Sequence, residues 1–171
     1  VLKFLKSKDA SKYSPEDLLE AKNFYDATPI RGNWYPTDLV NQRDVVIIGP
    51  GLTKSSDLLA LSEFIKNKSP VVLALNSHAT VDEDLIDARV VCHPIRILAD
   101  LQIYRKFDTS LIMPVSAMPS ILQDQLTDLR CFDFGLSVKK DSFRCMPTGC
   151  QIHSPLALGY AIAVSIAGDA Q

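Results

Sequence analysis

Short runs of aliphatic residues, separated by stretches with helical periodicity, constrain the fold of this 171-residue chain more than any other feature. Val45–Ile48 and Val71–Leu75 are continuous apolar runs, which are typical of strands buried on both faces. Between them, apolar residues recur at helical spacing over 56–68, and Asn67-Lys68-Ser69-Pro70 ends the pattern. This order of strand, helix and strand is the unit from which parallel sheets are built.

The same alternation continues along the chain. Further strands are predicted at 88–92, 109–113 and 131–135. Further helices are predicted at 81–86, 95–106, 120–126 and 152–167, and Gly149 precedes the last of them. We therefore predict an α/β fold: a Rossmann-like three-layer sandwich whose mostly parallel sheet of about five strands has helices on both faces.

Residues 1–43 lack the regular rhythm of residues 44–171. Ser14-Pro15-Glu16-Asp17 is a typical helix start, and apolar residues follow at helical spacing up to Phe24-Tyr25. An irregular stretch then ends in Trp34-Tyr35, which we expect to anchor it on the body. We interpret 1–43 as a helical arm or linker from an upstream domain. We interpret 44–171 as the Rossmann-like domain, truncated at its C-terminus because the chain stops where a further strand is expected.

Composition excludes several classes of partner. With a formal net charge of -2 and no stripe of Lys and Arg, the chain is not expected to bind nucleic acid. Its apolar runs are too short to cross a bilayer and no signal peptide is visible, so we expect a cytoplasmic protein without a membrane partner. Cys92, Cys131, Cys145 and Cys150 lack the spacing of metal ligands and are interpreted as free thiols. Cys150 and His153 would share a helix face, but two ligands do not make a metal site, and no metal is predicted.

The loop Gly49-Pro50-Gly51-Leu52-Thr53-Lys54-Ser55 meets neither of two phosphate-binding motifs. GxGxxG requires a glycine where Lys54 stands, and GxxxxGK[ST] requires one where Thr53 stands. The junction still offers backbone N–H groups and a positive helix end to an anion, beside which Lys54 would be favourable. The alternative is that the glycines only make the turn, Ser55 caps the helix and Lys54 points to solvent.

Ligands of open α/β sheets bind beyond the carboxyl ends of the strands, near a switch in strand order. This rule also selects the loops Asn76–Thr80, Cys92–Pro94 and Pro147–His153. The Asn76 amide can bond a ribose or a base edge, or else it forms a turn.

Three histidines and a Thr-Gly pair complete the candidates. His78, His93 and His153 can titrate near neutrality and act in acid–base chemistry, or else brace loops. Thr148 can cap the last helix or contact a ligand, and Gly149 leaves room for a close approach.

The segments VVIIGPGLTKSSDLLALSEFIKNKSPVVLALN and MPTGCQIHSPLALGYAIAVSIAG together resemble the C-terminal domain of bacterial aldolase-like proteins, which are similar to 4-hydroxy-2-oxovalerate aldolases. The resemblance covers about residues 40–170. It implies an upstream, metal-dependent, pyruvate-handling barrel as partner domain, so that the parent protein is a carbon–carbon lyase and this chain is not catalytic alone. The loops are also similar to those of nucleotide-using sialyltransferases and hydroxymethylpterin diphosphokinase-like proteins, although their turn commonly reads Gly-Pro-Ser-Leu after the first glycine and Leu52-Thr53 replaces it here.

Three functional hypotheses follow. The first is an accessory or regulatory domain of an aldolase-like lyase that binds a nucleotide or phosphorylated metabolite. Its predicted ligand-binding residues are Gly49, Pro50, Gly51, Thr53, Lys54, Ser55, Asn76, His78, His93, Thr148 and Gly149. The second is a nucleotide-dependent glycosyl- or diphosphotransferase, and the third is a structural or homo-oligomerisation domain. A NAD-linked oxidoreductase is disfavoured because Asn76 stands where an acidic residue is needed.

Overall fold

A computed structural model of the protein describes residues 30, 32–51, 54–118 and 120–171. The helix predicted near 14–25 and the candidate Thr53 lie outside these residues. The strands are β1 (Val45–Ile48), β2 (Val71–Leu75), β3 (Ala88–Val90), β4 (Ser110–Met113), β5 (Cys131–Asp133), β6 (Gly135–Val138), β7 (Phe143–Met146) and β8 (Gly149–Ile152). The helices are α1 (Ser55–Lys68), α2 (Pro94–Tyr104), α3 (Ser120–Asp124) and α4 (Ala157–Ala167), with 3₁₀ turns at Pro36–Asp38, Glu83–Leu85 and Val115–Ala117.

The main sheet has five parallel strands in the order β1-β2-β3-β4-β5. This confirms the predicted α/β, Rossmann-like architecture and its number of strands. Every residue of β2 is buried, as its continuous apolar run predicts. The order never reverses across this sheet, so no switch in strand order marks a ligand crevice within it, and β1 is an edge strand.

Helices cover both faces of the main sheet, as predicted. Because side chains alternate along a strand, Val72 and Ala74 of β2 face one side, where Ile65 of α1 packs in the same cluster. Val71 and Leu73 face the other side and share a cluster with residues of α4, which lies across β1, β2 and β3. Each such fully buried Val or Leu stabilises the fold by roughly 1.5–3 kcal/mol.

The predicted helix over 152–167 is wrong at its start. Residues 149–152 form β8, and the helix begins only at Ala157. The physical reason is Pro155, which has no N–H to donate and whose ring clashes with the preceding turn of a helix. Ser154-Pro155 is therefore a boundary between strand and helix. The short helix predicted at 81–86 is likewise only the 3₁₀ turn Glu83–Leu85, since Ile86 is already extended towards β3.

A second sheet, which was not predicted, has the order β6-β8-β7. Its strands alternate polar and apolar residues, the typical pattern of a sheet with one buried face. On the polar face, the Ser142 hydroxyl donates to Gln151 Oε1 at 2.8 Å, and Gln151 Nε2 donates to Ser137 Oγ at 3.4 Å. On the other face, Cys150 and Ile152 are buried in the cluster that contains α4.

Residues 32–43 of the predicted arm pack on the body. The backbone N–H groups of Asn33 and Trp34 both donate to the carbonyl of Asp133, at 3.0 and 3.1 Å. The Trp34 ring stacks on Phe132, with centroids 4.7 Å apart and planes 7° from parallel. Trp34 thus anchors this stretch as expected, whereas about half of the Tyr35 side chain is exposed.

Candidate functional site at the carboxyl end of the sheet

A cavity of about 300 Å³ opens where β2 and β3 end and where α2 and α4 begin. Its lining residues come from the loops that follow these strands, from the segment that precedes α4 and from the first turns of both helices: Asn76, Cys92, His93, Ile95, Arg96, Pro155, Leu156 and Ala157. His93 and Leu156, the residues that precede α2 and α4, both belong to this lining. The positive ends of two helix dipoles therefore meet at one cavity.

Asn76 is held in an unusual backbone conformation at the wall of this cavity. Its φ is 59°, in the left-handed region that asparagine tolerates better than most residues. Its N–H donates to the carbonyl of Val90 at 3.0 Å, and its own carbonyl accepts from Arg89 Nη1 at 3.1 Å. The next residue, Ser77, donates from Oγ to Asp100 Oδ2 of α2 at 2.7 Å. Asn76 is thus fixed from both sides.

His93 and Arg96 open helix α2 at the cavity. The carbonyl of His93 accepts from the N–H groups of Arg96 and Ile97 at 2.9 and 3.0 Å, and Pro94 supplies a backbone angle suited to the first helical position. Burial lowers the pKa of His93, and the positive charge of Arg96 lowers it further, so the imidazole is neutral at pH 7. Among the described lining residues, Arg96 is therefore the only one with a full charge at neutral pH.

The remaining wall is apolar. Cys92 is buried, and burial raises its pKa to about 12, so its thiol stays protonated and does not act as a nucleophile near neutrality. Ile95, Pro155, Leu156 and Ala157 add only hydrocarbon surface. One cationic group and a few polar groups set in apolar walls are the usual composition of a small-molecule site.

The loop after β1 does not reach this cavity with any of its described residues. Lys54, not Ser55, precedes helix α1, and no side chain caps the helix there, so the expectation that Ser55 is the cap is wrong. The Lys54 ammonium has no acceptor to offer a backbone N–H, and both residues are exposed. A Cβ added to Gly51 would meet nothing within 4 Å, and no described glycine has a positive φ. This turn does not require its glycines.

Thr148 and Gly149 lie in the second sheet and not at a helix start. Thr148 belongs to the turn between β7 and β8, so the prediction that it caps the last helix is wrong. The Thr148 carbonyl accepts from the N–H of Gly135 at 2.8 Å. A Cβ on Gly149 would lie 2.5 Å from Cγ2 of Ile30 and 2.8 Å from the Gly135 carbonyl oxygen. The space predicted for a ligand at Gly149 is filled by the protein itself.

Of the three candidate histidines, only His93 lines the cavity. His78 is exposed and outside the lining. His153 is also exposed, and its Nδ1 accepts from the N–H of Asp141 at 2.8 Å. Cys150 lies within strand β8, so the expected shared helix face with His153 is wrong.

The cysteines carry no disulfide, and all four are free thiols, as interpreted from the sequence. Over the part of the chain that the structure describes, no group of three His, Cys, Asp or Glu side chains is placed to hold a metal ion. Cysteine chemistry and metal chemistry therefore supply no further candidate within these ranges.

Of the residues that line this cavity, Asn76 and His93 are among the predicted ligand-binding residues, whereas Ile95, Arg96 and Pro155–Ala157 are not. A signal for Arg96 was present, since Pro94 favours the first helical position and so places residue 96 in the first turn. The Ser154-Pro155 pair was an equally local sign of the start of α4.

No protein-family model, curated protein or solved structure matches this chain. The helices in the described ranges are all too short or too polar to cross a bilayer.

Proposed function

We propose that this protein is a ligand-binding domain whose cavity between α2 and α4 takes a nucleotide or another small phosphorylated metabolite. The observation that carries the proposal is the meeting of Arg96 with the beginnings of two helices at one partly apolar cavity. Helix beginnings favour anions through their backbone N–H groups and dipoles, and arginine binds phosphate through paired hydrogen bonds. No described lining residue carries a negative charge that would oppose such a ligand.

The size of the cavity narrows the class of ligand. About 300 Å³ is at the lower end of the range for small-molecule sites. This favours a mononucleotide or a sugar phosphate over a dinucleotide cofactor. The apolar wall of Ile95, Pro155 and Leu156 suits a base or another flat, weakly polar group.

The chemistry of the cavity favours binding without reaction. Cys92 remains a thiol, and the neutral His93 is the one acid–base candidate among the described lining residues. Such a site fits the proposal of an accessory or regulatory domain that senses a metabolite for an upstream aldolase-like barrel. If the protein were a transferase, His93 would be the only one of the three candidate histidines placed to act as its acid–base group, because the other two do not line the cavity.

Isothermal titration calorimetry with AMP, CMP and inorganic phosphate tests the proposal, using a cavity-filling variant. Ala157→Phe places a ring in the cavity, and Ala60→Phe makes the same change at an exposed position of α1. We expect wild type and Ala60→Phe to bind AMP equally, and Ala157→Phe to lose binding while circular dichroism shows an intact fold. Folded wild type that binds none of these probes, or undiminished binding by Ala157→Phe, would contradict the proposal.

A specific observation favours a second function, self-association through α4. Leu158, Ile162 and Ile166 lie four residues apart on this helix and are 53%, 39% and 55% exposed. The helix carries no charged residue at all. An exposed stripe of this kind is typical of an interface, and its lack of charge allows a second copy to pack on it symmetrically without repulsion.

Sedimentation velocity over a range of concentrations tests self-association. We expect concentration-dependent dimers of wild type, and monomers of Ile162→Glu. Leu59→Glu, an equivalent change at an exposed leucine of α1, serves as the control and should still dimerise. A wild type that stays monomeric throughout would remove this function.

A further inference from the structure

We infer that Arg89 is a positioning residue that holds Asn76 in the conformation in which its amide recognises the neutral end of the ligand. The inference rests on the proposed function and assigns a residue to each end of the ligand. Arg96 binds the anionic group, and Asn76 binds a donor–acceptor edge such as that of a nucleobase. Arg89, Glu83 and Phe107 do not line the cavity, whereas Asn76 does, so the effect of Arg89 on the ligand passes through Asn76.

Arg89 is buried in strand β3 to 2% exposure, and its guanidinium is held on every side. Nε donates to Glu83 Oε1 at 3.1 Å, and Nη2 pairs with Glu83 Oε2. The ring centroid of Phe107 lies 3.9 Å from the guanidinium carbon. Nη1 then donates to the carbonyl of Asn76 at 3.1 Å.

Stability alone gives little reason to bury the Arg89 guanidinium, whose partner Glu83 keeps 38% of its side chain exposed. Desolvation of the buried charge offsets much of its attraction to the carboxylate, and well-packed apolar residues often stabilise a fold as well. Burial of Glu83 works against its ionisation, but the hydrogen bonds from Arg89 and Thr109 outweigh it and hold its pKa below the usual value. The pair therefore stays charged at neutral pH. Its structural consequence is that Arg89 holds the carbonyl of Asn76 in place.

The fixed carbonyl accounts for the left-handed conformation of Asn76. A φ of 59° lies in a sparsely populated region even for asparagine, and a residue persists there when its surroundings hold it. A hydrogen bond from a buried guanidinium is among the stronger restraints that a carbonyl can have. The Asn76 amide carries adjacent donor and acceptor groups, the pattern with which asparagine pairs to the edge of adenine.

A double substitution tests this role. Arg89→Met with Glu83→Gln removes the guanidinium without leaving an unpaired carboxylate. We expect AMP affinity to fall about fivefold to tenfold, the value of one lost hydrogen bond, while the affinity for inorganic phosphate is unchanged. In an Asn76→Gly background the same double substitution should have no further effect on AMP binding. The side-chain amide through which Arg89 acts on the ligand is then absent. An equal loss of AMP and phosphate affinity, or an undiminished loss in the Asn76→Gly background, would overturn the inference.

Nuclear magnetic resonance separates this inference from the proposed function. In wild type, the nuclear Overhauser cross-peak between HN and Hα of Asn76 should be strong, because a positive φ brings these two protons close together. It should weaken in the double variant. If wild type binds neither AMP nor phosphate, the proposed function fails, and an unchanged cross-peak would overturn the positioning role separately. Should the double variant not fold, Arg89→Lys keeps the charge beside Glu83 and should show the same AMP-selective loss. Equal losses for both probes in that variant would again contradict the inference.

Discussion

The carboxyl end of β1 and the carboxyl ends of β2 and β3 are junctions of the same kind with opposite outcomes. The loop after β1 carries the glycines and the lysine that suggest a phosphate site, yet its described residues are mostly exposed. The loops after β2 and β3 meet no phosphate motif, yet they line a cavity with Arg96. The difference lies in position, because β1 is an edge strand, whereas β2 and β3 lie inside the sheet and end where α4 begins.

This comparison separates two requirements of a binding site. A strand–turn–helix junction supplies backbone N–H groups and a dipole wherever it stands. Only neighbouring elements supply walls that exclude water and strengthen those interactions. Here the second requirement is met by α2 and α4, and it selects the ends of β2 and β3.

The largest expected effect is on anion affinity. Arg96→Met should weaken the binding of inorganic phosphate about tenfold to a hundredfold, because a charged hydrogen-bonding group is lost from the cavity. Lys54→Met, the matched change in the loop after β1, should leave the affinity within about twofold of wild type, the change expected of a surface charge. Calorimetric titration measures both. A larger loss from Lys54→Met than from Arg96→Met would reverse the comparison.

Gly149 in the second sheet and Gly51 in the loop after β1 should differ in how much a substitution by alanine lowers the free energy of unfolding. Gly149→Ala should lower the free energy of unfolding by about 1–3 kcal/mol, because its Cβ would press on the backbone of Gly135. Gly51→Ala, with open space around its Cβ, should change that free energy by less than about 0.5 kcal/mol. Urea denaturation measures both values. A costly Gly51→Ala would show that the turn after β1 does need glycine.

The smallest expected effect is on the pH dependence of stability, through His93 at the cavity. Because the folded-state pKa of His93 lies below its unfolded value near 6.5, stability is unaffected above that pH and is lost as pH falls below it. His93→Gln should therefore lose less stability than wild type between pH 7.5 and pH 5. Ala60→Gln, a change at an exposed position of α1 that removes no titratable group, serves as the control and should lose as much as wild type. Identical curves for wild type and His93→Gln would show that His93 is not held neutral.

The elements that could be predicted from the sequence are those with a strong local pattern. The apolar run of β2 and the helical spacing of α1 identify both elements to within a residue. The second sheet was missed because Gly149 was interpreted as a helix start, although Pro155 marks the boundary and the alternation of polar and apolar residues favours strands. Asn76 and His93 were found because they follow predicted strands.

Arg96 and the enclosure of the site were harder to predict. They depend on which strands are central and on the return of α4 across them, and no local window contains that information. The left-handed conformation of Asn76 likewise depends on Arg89, which is distant along the chain but adjacent in the fold.

A titration of ¹⁵N-labelled protein with AMP, followed by two-dimensional NMR, shows directly whether the ligand binds in the cavity between α2 and α4. We expect the amide signals of Asn76, His93, Arg96 and Ala157 to shift with a common affinity, while those of Lys54 and Ser55 do not move. Shifts confined to Gly49, Gly51, Lys54 and Ser55 would contradict it and return the site to the loop after β1. The absence of any shift would contradict the binding function itself.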